Sequence, residues 1–126
     1  AFFDAHLQMG IETVLDTVHF SDTIKGADLV LTGEGRLDAQ SLRGKVVIGV
    51  AKRSQKEGVP VIAFVGGVDG DMKAAYDMGV TAIAPINRLP QDFSISKNKS
   101  AKNLAETVQD VLRVIKAFKE EPNEKF

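Results

Sequence analysis

Three short apolar runs, "ADLVLTG", "VPVIAFVGG" and "VTAIAPI", are separated by segments of helical character, and this alternation constrains the fold more than any other feature. A continuous apolar run of strand length suits a parallel strand buried on both faces. "VPVIAFVGG" is the clearest of the three, being β-branched and bounded by Pro60 and by the pair Gly66 and Gly67. Between the runs, "VVIGVAKRSQKEG" places Val47, Val50 and Ala51 inward and cations outward, with Gly58 as its stop. "DMKAAYDMG" reads as a short helix capped by Asp69 or Asp71 and closed by Gly79.

Strands alternating with helices join through right-handed crossovers into a parallel sheet. The fold class is therefore α/β, a Rossmann- or flavodoxin-like three-layer sandwich. Its sheet is small enough to be part of a larger domain. Before the first strand, Phe2, Phe3, Leu7, Ile11, Val14, Leu15 and Val18 recur at helical spacing, Gly10 divides that stretch into two helices, and Ser21 caps a short turn. After the third strand, "NRLPQDFSISKNK" reads as a polar loop. The longest helix follows, over 100–118, with Leu104, Val108, Val111, Leu112, Ile115 and Phe118 on one face. A single domain is expected over 1–119, with 120–126 a disordered tail.

Composition removes several function classes. The chain has 126 residues, 44% hydrophobic and 26% charged, which is ordinary for one globular domain. A formal net charge of −1 gives no field that would gather nucleic acid or anionic membrane, so any anion site is local. The absence of cysteine excludes disulfides, thiolate metal sites and thiol nucleophiles. The two histidines, His6 and His19, flank an apolar helical stretch and read as packing or surface residues. No stretch has the length of a membrane span and no basic-then-apolar leader opens the chain, so the expected compartment is the cytoplasm. Ala1 stands where an initiator Met would be, in a segment already helical, and the expectation is a piece of a longer protein.

Ligands of such a sheet bind outside the carboxyl ends of the strands. Three connections leave those ends: Gly33–Lys45, Gly66–Asp71 and Asn87–Lys99. The first holds "TGEGRLDAQSLRGK" and is about twice the usual two to six residues. Gly33 and Gly35 allow a sharp turn and close approach to a ligand. Glu34 and Asp38 offer carboxylates for a metal–phosphate complex or a hydroxyl proton, and Arg36 suits a two-pronged grip on an anion. Gly44 and Lys45 stand where a helix begins, so free N–H groups and an ammonium converge there. The bland alternative is a solvated connector in which Arg36 and Asp38 pair across a turn. The stretch is neither a Walker A loop nor a dinucleotide fingerprint.

Gly66 and Gly67 permit close ligand approach, whereas Asp69 and Asp71 read first as cap and turn residues and only second as Mg²⁺ ligands. Asn87 and Arg88 read as parts of a solvated loop. Lys52, Arg53 and Lys56 form a cationic helical face of the kind that is usually solvated. Met9, Met72 and Met78 read as gap fillers.

The stretch "ADLVLTGEGRLDAQSLRGKVVIGVAKRSQKEGVPVIAFVGG" closely resembles the carboxyl-terminal part of the bacterial glycerate kinases. The likeness runs from the first helix to about Phe118. It implies an enzyme of two α/β domains that transfers the γ-phosphoryl group of ATP to D-glycerate, typically making 2-phosphoglycerate, and requires Mg²⁺. Thr32, Gly33, Glu34, Gly35, Arg36, Asp38, Ser41, Gly44 and Lys45 match the family's signature. The resemblance implies Arg36 on an anionic group, Asp38 on metal or hydroxyl, Glu34 as supporting carboxylate and Lys45 on phosphate.

Two positions depart from that pattern: Arg43 stands where many relatives carry His, and Val47 where they carry Pro. The family's "Pro-Asp-Ser-x-Lys" segment and its "Gly-Gly-Ser-x-Thr-x-Asp" loop are not in this sequence. The resemblance therefore implies that this piece alone is inactive and works with the remainder of the kinase chain. Homo-oligomerisation stays open. The rival readings are a stand-alone Rossmann-type ligand-binding module without catalysis, and an electron-transfer-flavoprotein-like cofactor domain whose adenine-binding signature is not matched.

Overall fold

The computed structural model describes residues 10–38, 46–87 and 93–120, with residues 93–98 and 120 described by backbone alone. These residues fall into two compact units, one ending at Ala84 and the other beginning at Pro85. In chain order the first unit holds α1 (Gly10–Thr17), α2 (Phe20–Thr23), β1 (Val30–Leu37), α3 (Val46–Lys56), β2 (Val61–Val68), α4 (Lys73–Asp77) and most of β3 (Ala82–Pro85). The second holds α5 (Phe93–Glu120).

The expected α/β class is what forms. A three-stranded parallel sheet has the order β1-β2-β3, so each strand reaches its neighbour through one helical crossover. β2 is central, and its alternate residues Val61, Ala63 and Val65 are fully buried. Ala63 and Val65 pack in one cluster with Leu37, with Val47, Ile48 and Ala51 of α3, and with Met72, Ala75 and Val80 around α4. The opposite face of β2 is covered at Phe64, so the strand is apolar on both sides, as its unbroken hydrophobic run requires. β1 departs from the expected full burial: Leu31 is 43% exposed, because among the described residues β1 pairs on one side only.

Both crossover helices stop by the same device. After α3, Gly58 N–H donates to the Gln55 carbonyl and Val59 N–H to Ser54; after α4, Gly79 N–H donates to Tyr76 and Val80 N–H to Ala75. This paired ending turns the chain straight into the next strand and needs a positive φ, found at both glycines.

Four local expectations change. Ser21 lies inside α2, and the turn between α1 and α2 is made by His19 at φ 54 instead. Arg53 is not solvated: its side chain is 16% exposed and bridges α3 to α1 through Glu12 at 2.6 Å and Asp16 at 2.7 Å. The hydrogen bonds to Asp16 and then Glu12 raise the guanidinium pKa further above its ordinary value. α5 begins at Phe93 rather than Ser100, since no Pro or Gly lies between Pro90 and Pro122 to interrupt it, and it continues through Lys119 and Glu120. Of its expected inward face, Val108, Val111 and Ile115 are half-buried, whereas Leu104, Leu112 and Phe118 are exposed. The opening helix before Gly10, with His6 and Met9, and the tail beyond Glu120 lie outside the described residues.

A Cβ on Gly79 would stand 2.5 Å from the Ala51 carbonyl oxygen, whereas one on Gly58 would meet nothing within 4 Å. Gly79→Ala is therefore expected to cost about 2–4 kcal/mol, combining overpacking with backbone strain, and Gly58→Ala only about 1 kcal/mol. Urea unfolding of the two variants checks the order. Equal losses would show that the α3–α4 contact at Gly79 is loose.

Candidate functional site

β1 and β2 run side by side to the edge where sheets of this kind take ligands. Their register pairs Thr32 with Ala63, Gly33 with Phe64, Glu34 with Val65, Arg36 with Gly67 and Leu37 with Val68. The connection expected over Gly33–Lys45 thus begins only at Asp38, because Gly33 to Leu37 belong to β1. Gly33 and Gly35 do not make a turn, and neither has a positive φ. The reason lies across the ladder: a Cβ on Gly66 would stand 2.5 Å from the Gly35 carbonyl oxygen. Small residues here let two backbones approach closely inside the sheet. Even shortened, the connection at positions 38–45 exceeds the usual length of about two to six residues.

Arg36 is the centre of the charge at this edge. Its Nη2 donates to Asp69 Oδ2 at 2.7 Å, and its Nε lies 3.9 Å from Asp38 Oδ2. Asp69 is held in turn by its own backbone, whose N–H donates to the Leu37 carbonyl at 3.0 Å. The guanidinium is about two-thirds exposed and Asp38 is about one-third exposed. Pairing of Arg36 with Asp38 occurs, as the bland reading required, but the shorter bond goes to Asp69. Sequence reasoning weighed Asp69 only as a cap or metal ligand. Neither Asp occupies the cap position of α4, which is Met72, but Asp71 Oδ1 accepts the Lys73 N–H at 2.9 Å just before it.

Several other candidates come to the same edge. Glu34 is half-buried on the strand before Arg36, and Thr32 is half-buried two residues earlier. A Cβ on Gly35 or Gly67 would meet nothing within 4 Å, so the backbone there is open to an approaching molecule. Gly66 is different, since its space is taken by β1. Ser41, Gly44, Lys45, Arg43 and Arg88 lie outside the described residues. Asn87 Oδ1 accepts a hydrogen bond from Asn103 Nδ2 at 3.3 Å within the second unit. Two clefts lined by described residues of the first unit lie elsewhere. One of about 350 Å³ is lined by Pro60, Tyr76 and Thr81 at the strand starts, and one of about 490 Å³ by Glu12, Lys52 and Asp77.

Comparison with known proteins adds a family. The model described as "Glycerate kinase family" matches residues 1–116. A glycerate kinase of Haemophilus influenzae is 44% identical over 113 residues, covering 90% of this chain and 30% of that protein. A glycerate kinase of Bacillus subtilis is 36% identical over 118 residues, covering 94% of this chain and 31% of its own length. A glycerate 2-kinase of Escherichia coli is 41% identical over 83 residues, 66% of this chain and 22% of that protein. The chain thus spans about a third or less of the length of these relatives.

The close approach of β1 and β2 is testable on stability alone. Gly66→Ala is expected to lose about 2 kcal/mol, because its methyl would push the Gly35 carbonyl away. Gly67→Ala is expected to change stability by less than about 0.5 kcal/mol. Denaturant unfolding distinguishes them. A neutral Gly66→Ala would mean that the strands part without cost.

Proposed function

Because the chain belongs to the glycerate kinase family, we propose that it forms the carboxyl-terminal part of an ATP-dependent kinase acting on D-glycerate. The proposed product is phosphoglycerate, with 2-phosphoglycerate favoured by the relative that bears that position in its name. What supports the reading beyond kinship is the arrangement at the β1–β2 edge: a guanidinium and carboxylates beside open glycine backbone.

Phosphoryl transfer asks little covalent chemistry of a protein and a great deal of positioning and charge stabilisation. Arg36 supplies a fixed positive fork for the carboxylate of glycerate or for a phosphate. Gly35 and Gly67, without side chains, admit the ligand close to the main chain. Asp38, at the mouth of the long connection, is the residue proposed to accept the glycerate hydroxyl proton or to hold Mg²⁺. Glu34 adds a second carboxylate behind it, and Lys45 is proposed to meet phosphate.

Among the described residues no group of three or more acidic or histidine side chains gathers to hold a metal. A single carboxylate such as Asp38 suits Mg²⁺, which keeps several waters and takes one or two carboxylates besides the phosphates of its nucleotide. When bound, Mg²⁺ with ATP would supply the phosphoryl group and offset its charge. The proposed compartment is the cytoplasm, and no described helix is long and apolar enough to cross a membrane.

The test is kinetic, in the full-length protein that carries this segment. ATP-dependent phosphorylation of D-glycerate is expected. Arg36→Ala and Asp38→Ala are each expected to lower kcat/KM for glycerate at least about tenfold, on the order of 1.4 kcal/mol. Ligand binding without turnover would favour the stand-alone binding module. Unchanged kinetics in both variants would move the site away from the β1 end.

A further inference from the structure

Asp69 has no role in the reading above, yet it makes a 2.7 Å hydrogen bond to the residue on which that reading leans most. We propose that Asp69 is a positioning residue, which fixes the Arg36 guanidinium at the carboxyl edge of the sheet for an anionic substrate group. The inference rests on the functional reading just given.

Three observations carry it. First, the residue opposite Arg36 in the ladder is Gly67, which offers no side chain to pack against. A long, two-thirds exposed arginine beside a glycine keeps much of its rotamer freedom unless charge restrains it. Second, Asp69 supplies that restraint with a 2.7 Å charge-assisted hydrogen bond to Nη2. Third, Asp69 is itself anchored to the strand it serves. Its N–H donates to the carbonyl of Leu37, one residue past Arg36, so carboxylate and guanidinium share one frame.

Such a pair adds little to stability, because both partners are more than 60% exposed. Its value is geometric. A hydrogen bond to one terminal nitrogen restricts how the guanidinium can turn, so less freedom is lost when an anion arrives. Asp38 Oδ2 lies 3.9 Å from Nε of the same guanidinium.

The experiment is a double-mutant cycle in the full-length enzyme, reading KM separately for glycerate and for ATP. Arg36→Ala is expected to raise KM for one of the two. Asp69→Asn is expected to raise that same KM by about three- to tenfold and to leave the other within about twofold. In the Arg36→Ala background, Asp69→Asn is expected to add less than about twofold, since nothing is left to position. Its melting temperature is expected to fall by less than about 3 °C.

Equal rises in both constants, or an undiminished effect in the Arg36→Ala background, would overturn positioning in favour of a structural role. A lowered KM would overturn it in favour of competition between Asp69 and the anion. An Arg36→Ala enzyme with neither KM raised also overturns it. A wild-type protein without glycerate kinase activity would overturn the functional reading and this inference with it. An active wild type in which Asp69→Asn changes no KM overturns this inference alone.

Discussion

The β1–β2 ladder depends on one close approach, where the Gly66 backbone runs so near the Gly35 carbonyl that no side chain fits between them. Parallel neighbours lie about 4.8 Å apart and normally carry side chains above and below the ladder. Here glycines occupy β1 at positions 33 and 35 and β2 at 66 and 67, so four positions of the final paired stretch carry no side chain. Glycine in a strand is unfavourable by roughly 0.5–1 kcal/mol relative to alanine. Four of them at one strand end are explained if something other than a side chain must come close.

That bare stretch decides what the edge can do. On β1, the charged residues Glu34 and Arg36 alternate with Gly33 and Gly35, so polar side chains occur at every second position of an otherwise open ribbon. Leu37 then turns into the core and is fully buried, which pins the strand end where Arg36 projects. Among the described residues the next apolar anchor is Val47 in α3, also fully buried, so the long connection is flanked on both sides by members of the same cluster. Rigid anchors on either side of a long polar connection are the usual way an α/β sheet carries a binding residue.

What the sequence made legible follows from locality. β2, α3 and α4 appear where their apolar periods and glycine stops put them, because strand burial and helix ending are set by neighbouring residues. The end of β1 is not legible for the same reason. "TGEGRL" has the composition of a turn, and its extension as a strand depends on Gly66, far along the chain. Arg36 and Asp69 are 33 positions apart, and only the parallel register brings them together. Arg53 looked like one cation of a solvated face until α1 supplied Glu12 and Asp16, respectively 41 and 37 positions upstream. The start of α5 is hidden differently: serine and asparagine are poor helix signals, but each costs only a few tenths of a kcal/mol once the helix has length.

The exposure of the Arg36 group bears on how such an edge could serve phosphoryl transfer. Charges about two-thirds in water are screened to a small part of their strength in a dry site. Stabilising a transferring phosphoryl group requires fixed dipoles in a place from which water is excluded. On the proposed reading, the β1–β2 edge therefore supplies one wall and the opposite wall would come from elsewhere; the glycerate kinases that the chain resembles are about three times as long as the aligned segment. This division of labour favours an edge that is preorganised but open. Arg36 can be oriented by Asp69 in advance, and its full electrostatic strength would develop only when the second wall expels water. Binding would then precede catalytic competence, and the weak, exposed ion pair would be a requirement of the design.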